Sequence, residues 1–301
     1  MRRKILLSAI VLTILLVCAT IGILSHKKMN AKSYFSCGVT LCHQGKYELA
    51  IADFTKAIEL KPDYISAYNR RGFSYNCIGK PTLALADFTK SLLLKPDDPI
   101  TYYNRGLAYD HDGKMGFALA DYTKAIKLKS NFAEAMVNRA IIYHQMGKQE
   151  LDLADLTQAI HYQPDDAIAY YNRGTAYDDS GKQGLAIADY SKAIELSPDY
   201  ANAYNNRGIA FSLSGEEHLA IADYSKVIEL TPNDAYIHVL RGISYHLTGN
   251  PDLALDDYSI AIALDPHCTN AYHERGKIYQ QLGQQDLAKQ DLDKARALGY
   301  H

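Results

Sequence analysis

Hydrophobic residues fall into two patterns along this chain. Between Ile5 and Leu24, twenty residues pass without a charge (ILLSAIVLTILLVCATIGIL). As a helix rising about 1.5 Å per residue, that stretch spans about 30 Å, the hydrocarbon thickness of a bilayer. From Ala31 onward, apolar residues recur at helical spacing and are interrupted at regular intervals by glycine and proline. This second pattern predicts a series of amphipathic helices.

The interruptions have a fixed period. Arg71, Arg105, Arg139, Arg173, Arg207, Arg241 and Arg275 recur every 34 residues without an insertion or deletion. Six of them precede a glycine, Ala140 takes that place once, and Cys37-Gly38 marks a degenerate first copy. The register sets eight units, 31–64, 65–98, 99–132, 133–166, 167–200, 201–234, 235–268 and 269–301, behind a segment 1–30. Each predicts two helices, as in AIAYYNRGTAYDDSG, KQGLAIADYSKAIEL and SPDY over 167–200. Gly181 and its equivalents suit the left-handed residue that ends a helix. Pro198 and its equivalents stop the second helix, and the Asp or Asn that follows can cap the next. Gly174 and Ala186 let the two helices approach, while Tyr177 and Tyr190 are large wedges of a core.

The series Tyr170, Gly174, Tyr177, Ala186, Tyr190, Ala193 and Pro198, recurring from residue 31 to 301, resembles the tetratricopeptide repeat. The resemblance implies an all-α, right-handed superhelical solenoid of paired antiparallel helices, close to one full turn for eight units. The apolar segment adds one N-terminal transmembrane helix to that expectation. Ser130 and Tyr300 depart from the pattern by replacing the proline, and Asp152 occupies a packed small-residue place. In the last unit Lys289, Gln290 and Arg296 replace the Ile187, Ala188 and Ile194 of the fifth, so the final helix should face water and end the array.

Charge repeats as well. Asp53, Asp87, Asp121, Asp155, Asp189, Asp223, Asp257 and Asp291 occur once per unit on the second helix, against the seven arginines. The simplest ladder pairs each Asp with the Arg of the following unit, Asp53 with Arg71 through Asp257 with Arg275, and leaves Asp291 over. Such a ladder reads as an inter-repeat joint rather than a binding surface.

By resemblance, a ligand would be an extended peptide or a partner helix in the groove lined by the first helices. Asn104, Asn138, Asn172 and Asn206 hold one place there in four consecutive units, and a side-chain amide both donates to and accepts from a peptide backbone. The run is similar to asparagine ladders by which a tetratricopeptide superhelix grips a main chain; bracing of neighbouring helices is the other role amides serve. Tyr103 and Tyr171 add aromatic contacts, and Asp110, Asp178 and Asp179 make the middle acidic, which suits a basic or neutral peptide. The carboxylate clamp of some family members needs lysine and asparagine four residues apart. The corresponding pairs Phe35/Val39, Asn69/Phe73, Tyr103/Leu107 and Val137/Ile141 do not provide it.

Other classes find little support. A net charge of -2 gives no footprint for nucleic acid. No G-x-S-x-G, H-E-x-x-H or P-loop occurs, so no enzyme and no cofactor are expected. A metal site built from Asp110, His111, His144, Asp178 and Asp179 would need ligands about 2 Å from one ion, whereas neighbouring repeats hold equivalent places about 10 Å apart. Five cysteines, without a C-x-x-C pair, suggest neither a zinc site nor a disulfide framework. Cys42 and Cys77 fall at nearly equivalent places in consecutive repeats, and a helix separation of about 9 or 10 Å argues against joining them.

The expectation is a membrane-anchored scaffold or adaptor for a protein partner, with a structural subunit of an envelope or membrane complex as the alternative. Nothing indicates a homo-oligomer. Arg2, Arg3 and Lys4 on one side of residues 5–24 nearly balance Lys27, Lys28 and Lys32 on the other. Charges immediately beside the span favour the N-terminus inside and the repeats extracytoplasmic. Cleavage of a signal peptide at Val17-Cys18-Ala19, leaving a secreted or periplasmic chain, is the competing reading.

Overall fold

The computed structural model describes residues 29–300. The segment Ile5–Leu24 lies outside them, and among the described residues no helix is long and apolar enough to cross a membrane. Sixteen helices and no strand make up the described chain, two helices to each 34-residue unit. The unit spelled out above folds as Ala167–Asp179 and Gln183–Leu196. The fold class is thus the all-α array of paired helices. The chain divides into two compact units, one ending at Ser130 and the other beginning at Asn131. The first holds three repeats and the second five. The division falls at one of the two places where the proline is replaced.

Local signals act as their chemistry requires. Gly181 has φ +68° and accepts the left-handed turn between the two helices, as does its equivalent in each repeat. Capping is more selective than the sequence suggested. The Asp166 side chain accepts from the amides of Ile168 and Ala169 at 2.9 and 3.3 Å, and Asp234 accepts from Tyr236 at 3.0 Å. These residues stand two places after the proline, whereas Asp63 and Asp199, directly after it, stand one place before the cap.

The core of each hairpin rests on one close approach. A β-carbon on Gly174 would lie 2.7 Å from Cε1 of Tyr190, whose side chain is fully buried, and the other glycines facing an aromatic ring would come within 2.6 to 2.9 Å of it. Repeat four carries Ala140 in the glycine place and Leu156 in the ring place, both fully buried, so one methyl added on one helix accompanies a smaller partner on the other. Ala186 and Ala193 complete the tight seam at 0% exposure. Tyr177 is only half-buried and lies under the Arg173 guanidinium, 5.9 Å from its ring centroid.

The charge ladder differs from the expected pairing. Each arginine binds the aspartate of its own repeat, sixteen residues on, through Nε and Nη2: Arg71 with Asp87, Arg105 with Asp121, Arg139 with Asp155, Arg173 with Asp189, Arg207 with Asp223, Arg241 with Asp257 and Arg275 with Asp291, at 2.7–3.0 Å. The residue left over is therefore Asp53, because Cys37 stands where its arginine would be, and Asp291 is paired. The guanidinium is a planar fork, and two of its donors spend themselves on the adjacent helix of the same hairpin. Nη1 remains to reach backward. It donates to Thr55 from Arg71 at 3.0 Å and to Thr89 from Arg105 at 3.4 Å in the first unit. In the second unit it donates to Ser191, Ser225 and Ser259 from Arg207, Arg241 and Arg275 at 2.9, 3.0 and 3.0 Å. An inter-repeat joint exists, then, but a hydroxyl receives it.

Two consequences can be measured by urea denaturation. Gly174→Ala gains about 1 kcal/mol of helix propensity but forces the buried Tyr190 ring aside at a cost of about 1–3 kcal/mol, for a net loss. Adding Tyr190→Leu recovers much of it, as the pairing of Ala140 with Leu156 implies. Asp223→Ala strands a guanidinium whose side chain is 19% exposed, and should cost about 2–3 kcal/mol. Asp53→Ala removes a carboxylate with no ion-pair partner among the described residues and leaves the midpoint within about 0.5 kcal/mol of the parent.

Candidate peptide-binding face

In the first unit, a groove of about 320 Å³ is lined by Ser66, Asn69, Arg70, Phe73, Asp98, Ile100 and Asn104, most of them on the first helices of repeats two and three. Asn104 carries no hydrogen bond among the described residues. Asn69 donates Nδ2 to Asp98 at 3.4 Å, and its Oδ1 is buried without a partner in the chain. Arg70 occupies the place that Asn104 holds one repeat later. The sequence reading overlooked this groove, although exposed Phe73 and Ile100 on first helices were a visible signal. Tyr103 packs its ring against buried Tyr122, with centroids 5.9 Å apart. Asp110 is half-buried, and His111 Nδ1 meets Asn76 Oδ1 at 3.2 Å.

In the second unit the asparagines are half-buried. Asn138 and Asn172 each donate Nδ2 to the carbonyl four residues back, Glu134 at 2.9 Å and Ile168 at 2.8 Å. Asn206 donates to the Tyr171 hydroxyl at 3.2 Å. Asn172 thus spends one donor on its own helix, which fixes its rotamer, while its Oδ1 has no partner among the described residues. Tyr171 lies between Tyr190 and Tyr200, at centroid distances of 5.9 and 5.0 Å.

Beside Asn172 the structure joins two residues that the sequence flagged separately. Asp152, 1% exposed, stands where all seven other repeats have alanine, and it faces His144 Nδ1 at 3.0 Å. His144 Nε2 lies 3.2 Å from Asp179. Ile141, His144, Asp152, Asn172 and Thr175 enclose a cavity of about 40 Å³. Asp178 accepts from Gln183 Nε2 at 3.3 Å, and burial followed by the neighbouring Asp179 pushes its carboxyl up. The expected acidic patch therefore contains a histidine, with one ring nitrogen facing Asp152 and the other facing Asp179. Among the described residues no group of three or more His, Cys, Asp or Glu converges to hold a metal ion.

Paired helices with a strict 34-residue period define an α-helical repeat protein. Tetratricopeptide models match residues 38–76, 99–132, 176–215, 201–234 and 269–295, over half of the 301 residues. The chain belongs to the tetratricopeptide repeat family. No curated protein sequence matches it. Among solved structures it is similar to YrrB, a TPR protein with an unusual peptide-binding site, at 24% identity and TM-score 0.56 over 62% of this chain and 97% of that one. MamA from Desulfovibrio magneticus RS-1 matches at 25% and 0.51 over 55% and 94%. The APC/C heterotetramer Cut9–Hcn1 matches at 20% and 0.62, over 91% of this chain and 51% of that one.

Burial, outweighing the opposing pull of His144, holds the Asp152 carboxyl above its ordinary range. The folded state then binds that proton more tightly than the unfolded chain, so the group's contribution is largest below about 3.9 and is lost as pH rises through the folded value. Asp152→Ala should therefore raise the urea midpoint more at about pH 7 than at about pH 4. A gain that is larger at the acid end would contradict this account of the carboxyl.

Proposed function

We propose that the chain is a membrane-anchored adaptor that holds an extended, basic or neutral peptide segment of a protein partner against its first helices, with Ile5–Leu24 as the anchor and the repeats extracytoplasmic. The observation that carries the binding role is the state of Asn172. Its amide is oriented by its own helix and keeps an acceptor open beside a small cavity. A side chain that only braced helices would have spent both ends inside the fold. In the first unit, the open Asn104 and the buried, unpaired Oδ1 of Asn69 support the same role. The description of YrrB as a peptide binder agrees with it, at an identity that carries the fold alone.

Asp178 and Asp179 favour a lysine or arginine at the peptide position beside them, and Tyr171 offers an aromatic edge. Replacing Asn104, Asn138, Asn172 and Asn206 together by alanine should weaken partner capture by about tenfold or more, since each lost hydrogen bond is worth roughly 0.5–1.5 kcal/mol. Thermal unfolding should change little. Crosslinking in the native membrane, followed by pull-down of parent and variant, reads the effect, and equal recovery of partners by both proteins would refute the assignment.

A further inference from the structure

Side chains of adjacent first helices meet in one recurring register. The twelfth residue of a repeat touches the thirteenth of the next, an offset of 35 residues instead of the 34-residue period. Asn76 meets His111 at 3.2 Å in the first unit, and in the second His144 meets Asp179 at 3.2 Å and His246 meets Gln281 at 3.0 Å. Cys42 and Cys77 occupy the same two places in repeats one and two. The separation of equivalent helix positions, which argued against a disulfide, is therefore not the relevant distance, because the one-residue offset turns these two side chains toward each other.

We infer that Cys42 and Cys77 are a reversible thiol–disulfide pair that staples the first repeat to the second. Both are free thiols in the structure, Cys42 buried and Cys77 exposed. The Cys42 Sγ lies 3.2 Å from Ser74 Oγ, on the first helix of repeat two. The second cysteine is thus open to a soluble oxidant, while the first is held behind it on the neighbouring helix. Thiols are shorter than the Asn–His pair at the equivalent place, so closing the bond draws the last turns of the two first helices together.

The oxidant is a small-molecule disulfide such as oxidised glutathione. The Cys77 thiolate attacks one of its sulfurs, forming a mixed disulfide and releasing one glutathione thiolate. Cys42, deprotonated, then attacks the Cys77 sulfur and expels the second glutathione thiolate. The protein loses two hydrogens, and one disulfide is reduced to two thiols. Burial pushes the Cys77 thiol up, so exchange is faster in mildly alkaline buffer. The staple falls on the repeat that lacks the internal ion pair, since Cys37 replaces the arginine of repeat one and Asp53 stays unpaired, and it would add to the Arg71–Thr55 bond between repeats one and two.

The test uses the full chain incubated with oxidised glutathione in alkaline buffer, alkylated, and mapped by non-reducing tryptic mass spectrometry across all five cysteines, with backbone fragmentation between Gly38 and Leu41 to tell Cys37 from Cys42, which share one tryptic peptide. The expected product is a Cys42–Cys77 linked peptide pair, lighter than the two free peptides by two hydrogens and separated by reductant. Limited proteolysis should show residues 31–64 protected in the oxidised protein and cleaved faster after reduction. Cys77→Ser, at an exposed position, should abolish both effects while circular dichroism stays unchanged. Glutathione remaining on Cys77 with Cys42 still open to alkylation would overturn the assignment, as would a dominant link through Cys37 or Cys268.

Discussion

Where Gly174 meets Tyr190, a β-carbon would sit 2.7 Å from the ring, so the backbone of the first helix rests directly on the aromatic face of the second. That separation places everything else. With the helices so close, a guanidinium one residue before the glycine reaches the carboxylate of its own hairpin with two donors, and the third reaches the preceding repeat. Had the helices stood farther apart, the arginine would have had to choose between its own aspartate and its neighbour. The aspartates are nearly buried, from 2 to 6% exposed from Asp87 onward, so the bidentate geometry matters for tolerating the burial as well as for attraction.

This arrangement divides the labour between two kinds of joint. Within a hairpin, the ion pair adds to a dry seam of alanine, glycine and aromatic ring. Between hairpins, a hydrogen bond from the arginine to a neutral hydroxyl accompanies apolar packing and scattered contacts between first helices, and its acceptor is threonine for Arg71 and Arg105 and serine for Arg207, Arg241 and Arg275. A stack built this way has strong units and more modest interfaces, the condition under which terminal repeats open first. Repeat one lacks even the internal ion pair.

Much of this was legible in the sequence because it repeats. The period, the helix pairs, the left-handed glycines and the small and large seam follow from residue type at fixed spacing. The partner of each arginine did not, since counting eight aspartates against seven arginines fits both directions of pairing equally. The hydroxyl two residues after each aspartate from Asp53 to Asp257 was the available clue, because a guanidinium committed to its own hairpin still needs an acceptor behind it. The site was less legible. Asn138 and Asn172 could be located on a face from spacing alone, but whether their amides turned inward or stayed open depends on rotamers set by the i−4 carbonyl.

Departures from the repeat are more informative than the repeat itself. A residue common to most units explains how the array is built, whereas one that breaks the pattern at a packing cost must be offset by something local. Asp152 breaks it by burying a carboxylate in an alanine site, and the offset is His144, which links it to the exposed Asp179 beside Asn172. Ala140 and Leu156 break it in the same repeat and compensate each other across the seam. Repeat four thus combines a rebuilt core with a buried aspartate–histidine hydrogen bond that surfaces on the face carrying the asparagines. The apolar exchange alone would have kept the hairpin packed; the acid and the histidine instead add polarity on the face that carries Asn172, at a place where every other repeat has alanine.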